Sequence, residues 1–290
     1  MNYSEVLEGA RQNIGPKCKA CPVCNGIACG NTLPGPGSKG PGNGANDNYN
    51  AWRKIKLNMD AIVANVEIDT TTEFFGHKMN LPLFSGPIGS IRLQYNPTDD
   101  VKDFNEKCIA ACESKGIMHF YSTGLEELTQ RTAIESRIAH SNAGVPVINP
   151  EADEAIIKQM NICKEKTAPT AICVVVDSAG LPHLKACHGS AGTKSVEQLR
   201  MLKEEAGLPF VIKGVMTAKS ALKAVDAGAD AIIVSNHGGR VLAESPATAE
   251  VLEEIAKAVE GRAKIIVDGG IRSGVDMFKA YALGADYCLI

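Results

Sequence analysis

Eight short apolar, β-branched runs, helical patterns between most of them, and a length of 290 residues predict a (β/α)8 TIM barrel. The runs are LPLFSGP (81–87), GIMHFYST (116–123), VPVINPE (145–151), AICVVVDS (171–178), PFVIKGV (209–215), AIIVSNHGG (231–239), KIIVDGG (264–270) and YCLI (287–290). They are apolar without alternation, as in parallel strands buried on both faces. After the fifth run, AKSALKAVDAGA places apolar residues three and four apart, with Thr217 as N-cap and Gly228 near the C-terminal end. PATAEVLEEIAKAVEG and SGVDMFKAYALGA repeat the design, with Ser273 capping the second. Strand–helix alternation also suits an open doubly wound sheet. The count of eight favours closure, and a barrel uses about 250 residues as one domain. The chain ends at Ile290, at the eighth strand, without the helix that ordinarily follows.

Residues 1–47 read differently. They carry a cysteine cluster and then LPGPGSKGPGNGAND, a Gly/Pro/Asn-rich run expected to lie outside regular structure. The expected division is a Cys-rich N-terminal segment (1–47) and a barrel domain (48–290). A formal net charge of -3 gives no basic excess to neutralise phosphates, so neither nucleic acid nor an anionic membrane surface is an expected partner. No apolar run reaches the roughly 20 residues that span a bilayer. The opening stretch MNYSEVLEGARQNIG lacks the apolar core of a secretory signal, which places the protein in the cytoplasm.

Ten cysteines in such a chain read as reduced thiols or metal ligands rather than disulfides. Cys18, Cys21, Cys24 and Cys29 fall within twelve residues. Four soft ligands at this spacing suit an iron–sulfur cluster or tetrahedral zinc. Free or redox-active thiols are the third reading.

Barrel active sites lie at the C-terminal ends of the strands. The fourth run ends in Asp177 and the fifth near Lys213. The sixth enters SNHGGR, with His237 and Arg240, and the seventh ends in Asp268-Gly269-Gly270, followed by Arg272. Taken singly, Asp177 suits a helix cap, and a lone histidine is more often structural than catalytic. Charged groups gathered at four successive strand ends cost desolvation unless a ligand or partner compensates, so packing alone does not account for them. VDGGIRSG adds glycines and a helix start, which favour a phosphate; a tight strand–helix turn is the plainer reading, and Arg272 tips the balance.

Together these residues resemble the FMN-dependent α-hydroxy acid oxidase and dehydrogenase family, which includes glycolate oxidase, lactate oxidase and flavocytochrome-type lactate dehydrogenases. The resemblance is strongest over about 209–290, in PFVIKGVMTAKSALKAVDAGADAIIVSNHGGR and IIVDGGIRSGVDMFKAYALGAD. It is looser over 75–178, through FGHKMNLPLFSGPIG and Asp177, and does not extend to 1–47. It implies an FMN cofactor, a small 2-hydroxy acid substrate and an electron acceptor. It also implies that His237 is the base, that Asp177 orients it, that Arg240 holds the substrate carboxylate, and that Lys213 sits at the flavin N1/O2 edge. Gly270 and Arg272 are implied for the FMN phosphate and Asp268 for the ribityl chain. Ser122 and the Pro87-Ile88-Gly89 backbone are implied for the flavin ring. A homo-oligomer is expected, as is common in the family.

Three features depart from the family pattern. No arginine follows Asp177, leaving either Lys185 or Lys194 as its replacement or a different substrate; Ile148-Asn149-Pro150-Glu151 stands where the family has Gln-x-Tyr, so that Asn149 takes the glutamine's place; and the Gly-Arg expected after the eighth strand lies beyond Ile290. A cysteine-bound cluster beside a flavin would carry single electrons, as in a dehydrogenase. The alternatives are another FMN barrel enzyme, of the type 2 isopentenyl diphosphate isomerase kind, and a non-catalytic flavin- or metal-binding protein. His77, His119, His140 and His183 are expected to be structural or surface residues.

Overall fold

The computed structural model describes residues 2–14, 18–30, 40–89, 91, 101–123, 127–138, 140, 144–181, 184 and 190–290. All eight expected strands form: β3 (Leu83–Ser85), β4 (Met118–Ser122), β5 (Val145–Ile148), β6 (Ile172–Val175), β7 (Phe210–Val215), β8 (Ala231–Val234), β9 (Lys264–Val267) and β10 (Tyr287–Leu289). They pair in parallel in chain order, and β10 closes the barrel on β3 through Cys288↔Leu83 and Leu289↔Phe84. This excludes the open sheet.

Helices α3 (Val101–Lys115), α4 (Glu127–Ile138), α5 (Asp153–Lys166), α6 (Val196–Ala206), α7 (Ala218–Asp226), α8 (Thr248–Val259) and α9 (Gly274–Ala282) surround it. Thr217 and Ser273 cap α7 and α9 as expected, accepting hydrogen bonds from the N–H groups of Ser220 and Asp276.

The strands are apolar throughout because each face has its own core. Val211, Ile233, Ile266 and Leu289 point into the barrel, while their neighbours Ile212, Ile232, Ile265 and Cys288 pack under the helices. Lys213 shares the inward face with Val211, two residues along β7, which carries its ammonium to the top of the barrel interior.

The sequence did not announce the antiparallel hairpin of β1 (Thr72–Phe74) and β2 (His77–Met79). It plugs the bottom of the barrel: the Phe74 ring lies 4.8 Å from that of Phe84 and 5.2 Å from that of Tyr287. Strands of three residues are too short to show a period, so pattern alone does not reveal them.

Helix α1 (Tyr3–Asn13) precedes the cysteines, and α2 (Gly44–Lys54) crosses residue 47. The end of the Gly/Pro/Asn-rich run is therefore helical, against expectation. Asn43 caps α2 by accepting from the Asn46 N–H, and Arg53 and Lys54 sit favourably in its last turn. The helix docks on the barrel rim. Buried Trp52 donates from Nε1 to the Gly269 carbonyl (2.8 Å), and Lys279 donates to the Trp52 carbonyl (2.7 Å). Arg53 pairs with Asp276.

His119, on β4, is 2% exposed, and burial, with Arg137 second, pushes its imidazole down to about 4 from 6.5. The unfolded chain takes up a proton on this ring between those two values while the folded chain does not. Native stability is therefore fully present above 6.5 and falls as the pH drops towards 4, by about 3 kcal/mol in all. Urea unfolding at pH 7 and pH 5 should show this loss, and His119→Gln should reduce it. An unchanged pH dependence in the variant would assign the acid lability to other groups.

Candidate active site

A cavity of about 470 Å³ opens at the C-terminal ends of the barrel strands. Its walls include His237, Arg240, Lys213, Asp268, Gly270 and Arg272 from the strand ends, while Asp177 stands behind His237 and is not among the walls. Pro87, Ile88 and Gly89 line it after β3, Ser122 at the end of β4 and Asn149 after β5.

Asp177 opens a 3₁₀ turn after β6, and its Oδ1 lies 3.0 Å from His237 Nδ1. A carboxylate can only accept, so Nδ1 carries the hydrogen and Nε2 is left as the basic nitrogen. Burial would raise the Asp177 carboxyl, but the His237 charge and hydrogen bond, with Lys213 nearby, hold it below the usual carboxylate range. Its Oδ2 is buried without a hydrogen-bond partner among the described residues.

Lys213 reaches Asp268 Oδ2 (3.0 Å) and donates to Ser235 Oγ (2.6 Å), and Ser235 donates to the same Asp268 oxygen (2.8 Å). Burial alone would lower the Lys213 ammonium, yet Asp268 and Asp177 hold it above its usual value, so it stays charged. Asp268 Oδ1 is buried and has no partner among the described residues.

Ser235 was not singled out in the sequence, although it stands within SNHGGR. Its Oγ also accepts from the His237 N–H (3.2 Å), joining the lysine–aspartate pair to the histidine backbone. That backbone is left-handed, φ +58 for His237, a conformation costing about 1–3 kcal/mol outside glycine.

Gly214, also not singled out, lies at φ +105 in a register shift of β7, and a Cβ there would fall 2.6 Å from Asp177 Cγ. The glycine makes room for the carboxylate beside the histidine.

Gly270 and Arg272, expected to hold a phosphate, also have protein neighbours. What lies against Gly270 is helix α2, since a Cβ there would fall 2.4 Å from the Asn48 carbonyl oxygen. Arg272 lines the cavity, but its Nε donates to the Cys24 carbonyl (2.8 Å) and its Nη1 to the Ile271 carbonyl (2.8 Å). Lys194 does not replace the missing arginine: it donates to the Glu151 carbonyl (2.5 Å) and pairs with Asp153 (2.8 Å). Lys185 and His183 lie outside the described residues. His77 is exposed, and His140 contacts Glu113 at 3.2 Å.

Cys18, Cys24 and Cys29 line the same cavity, and Cys21 is not among its walls. None of the four is in a disulfide. Among the described residues, no group of three or more His, Cys, Asp or Glu side chains is arranged to hold a metal ion, so the expected cluster or zinc site finds no support in the arrangement. No helix among the described residues is long and apolar enough to cross a membrane.

Comparison with known proteins gives a consistent result. The family described as FMN-dependent dehydrogenase matches residues 36–190 and 183–290. A peroxisomal (S)-2-hydroxyacid oxidase of Arabidopsis thaliana is 33% identical over 84% of this chain and 74% of its own length. An L-lactate oxidase of Lactobacillus jensenii is 58% identical over 85 residues, 29% of this chain and 21% of its own. Among solved structures, a mandelate oxidase variant with a C4a-hydroxy adduct of FMN is 26% identical, with a TM-score of 0.74 over 98% of this chain and 84% of its own.

Gly214→Ala should displace Asp177 and lower stability by a few kcal/mol, read as a fall in the unfolding midpoint, because both φ and the contact forbid a Cβ. Gly192→Ala meets nothing within 4 Å and should leave the midpoint within about 0.5 kcal/mol of the parent's.

Proposed function

The chain belongs to the FMN-dependent dehydrogenase family and is an FMN-dependent oxidoreductase of a 2-hydroxy acid, and from that premise we propose how its residues divide the reaction. The observation that carries the reading is the Asp177–His237 pair set at the cavity beside the Lys213–Ser235–Asp268 network. It argues against the non-catalytic alternative, because packing does not require so many buried charges at one rim.

The site's chemistry suits FMN. Asp268 Oδ1 is a buried acceptor awaiting a hydroxyl, which a ribityl chain supplies, and Lys213 is a buried cation suited to an anionic ring edge. Ser122, Asn149 and the Pro87–Gly89 backbone, on the walls after β3, β4 and β5, would meet the ring. With the Arg272 guanidinium engaged by two carbonyls, the phosphate would rest chiefly on the backbone around Gly270. FMN supplies acceptance of the electron pair leaving the substrate's α-carbon.

The other steps belong to the protein. Arg240, on the cavity wall, holds the substrate carboxylate. His237 Nε2 takes the substrate proton, from the hydroxyl if hydride leaves or from the α-carbon if a carbanion forms. Asp177 fixes the tautomer through Nδ1 and stabilises the imidazolium. The product is the 2-oxo acid. A homo-oligomer is proposed on the family resemblance alone.

The test is an absorption spectrum of the FMN-loaded chain without oxygen, before and after L-lactate, glycolate and longer 2-hydroxy acids. One of these should bleach the flavin. His237→Gln should slow bleaching by about 10²–10⁴-fold, the range for a lost general base. Arg240→Lys should raise the substrate concentration needed, because an ammonium cannot match a bidentate guanidinium. Undiminished bleaching in His237→Gln would remove this residue from the role of base.

A further inference from the structure

The N-terminal cysteines have no part in the steps above, yet Cys18, Cys24 and Cys29 share the cavity with His237 and Lys213. The segment that carries them is tied down at several points. Asn43 Nδ2 donates to the Gly26 carbonyl (3.1 Å) and Asn46 Nδ2 to the Asn25 carbonyl (2.8 Å), so α2 holds the loop from one side. Arg272 holds it from the barrel, through Nε to the Cys24 carbonyl (2.8 Å) and Nη2 to Cys24 Sγ (3.8 Å).

Several thiols on one short loop, none of them in a disulfide and with no metal-holding group among the described residues, are suited to two-electron chemistry between a dithiol and a disulfide. Cys24 is separated from Cys29 by four residues and from Cys18 by five, so a disulfide between them closes only a short loop. The Arg272 donor sits on the sulfur that carries negative charge when such a bond opens.

We propose that Cys24, with Cys18 or Cys29, forms a redox couple that accepts the electron pair from reduced FMN, making the N-terminal loop the enzyme's own electron acceptor. This rests on the FMN and 2-hydroxy acid reading above. The exchange balances. The hydroxy acid gives up two electrons and two protons to become the oxo acid, with the electron pair carried by FMN when it is bound. The disulfide takes up two electrons and two protons and becomes two thiols. A low-molecular-weight disulfide then reoxidises the pair by thiol–disulfide exchange, leaving as two thiols.

The test uses the full chain with FMN bound, its thiols oxidised by a small disulfide and the excess removed. Alkylation and peptide mass mapping should find two thiols per chain lost, one of them Cys24. Under nitrogen, one sample receives one equivalent per chain of the hydroxy acid that bleaches the flavin, and another is photoreduced by one electron pair per chain without substrate. In both, the flavin should return to its oxidised spectrum while two labelled thiols emerge on Cys24 and its partner. Photoreduced protein stripped of FMN should gain none. Cys24→Ser, checked for unchanged FMN content, should keep its flavin reduced, and Cys21→Ser should behave as the parent.

A parent flavin that stays reduced over an intact disulfide overturns the proposal, as does failure of Cys24 to form a disulfide or undiminished reoxidation in Cys24→Ser. Thiols that emerge after photoreduction but with no hydroxy acid overturn the substrate reading instead and leave the couple standing. Bleaching by a hydroxy acid with no new thiols does the reverse.

Discussion

Helix α2 lies backbone to backbone against two barrel loops, and the architecture of the site depends on that contact. A Cβ on Gly44 would fall 2.7 Å from Gly239 Cα, and one on Gly270 would fall 2.4 Å from the Asn48 carbonyl oxygen. Side chains at these positions would hold the helix away from the rim. Once the surfaces are close, Asn48 and Asn236 exchange amide hydrogen bonds of 2.8 and 2.9 Å, and Asn236 Oδ1 accepts from the Gly239 N–H. The loop carrying His237 is thus fixed on both sides of the histidine, which lets it keep a left-handed backbone. The same docking suspends the cysteine loop over the cavity.

The electrostatics of the cavity have a related logic. Asp177, Lys213 and Asp268 are charges gathered at the top of a barrel whose interior is otherwise apolar. Each is tolerated because the next is close: Asp177 has His237 and Lys213, and Lys213 has Asp268 and Ser235. Buried pairs of this kind add little to stability relative to apolar packing. Their value is orientation, since a lysine held between two carboxylates stays protonated and a histidine held by one presents a defined nitrogen. Asp177 Oδ2 and Asp268 Oδ1 have no hydrogen-bond partner among the described residues, so each can accept from a bound ligand.

The N-terminal segment, which lacks the sequence signature of the barrel, is where this chain differs most from the family pattern. Cys18, Cys24 and Cys29 stand at the cavity, and Arg272, which lines the same cavity, also holds their loop. In the arrangement proposed above, cofactor binding and the cysteine loop would share one stretch of backbone around Gly270 and Arg272.

The sequence by itself determined the barrel, the caps of α7 and α9, and the set of polar residues at the strand ends. Those signals are local: a continuous apolar run, a threonine or serine before a helix, and an acid or histidine just past a strand are each written within a few residues. Only the tertiary structure decided what required partners far apart in the chain. Ser235 is one serine among many until it meets Lys213 and Asp268, and Gly214 is an ordinary strand glycine until Asp177 arrives beside it. The helical start of α2 was hidden by a loop-like composition, because its glycine and asparagines are chosen for contact with the rim rather than for helix propensity. Lys194 is a candidate for the missing arginine's place only until the fold is known, since nothing near it in the sequence shows that Asp153 and the Glu151 carbonyl hold it.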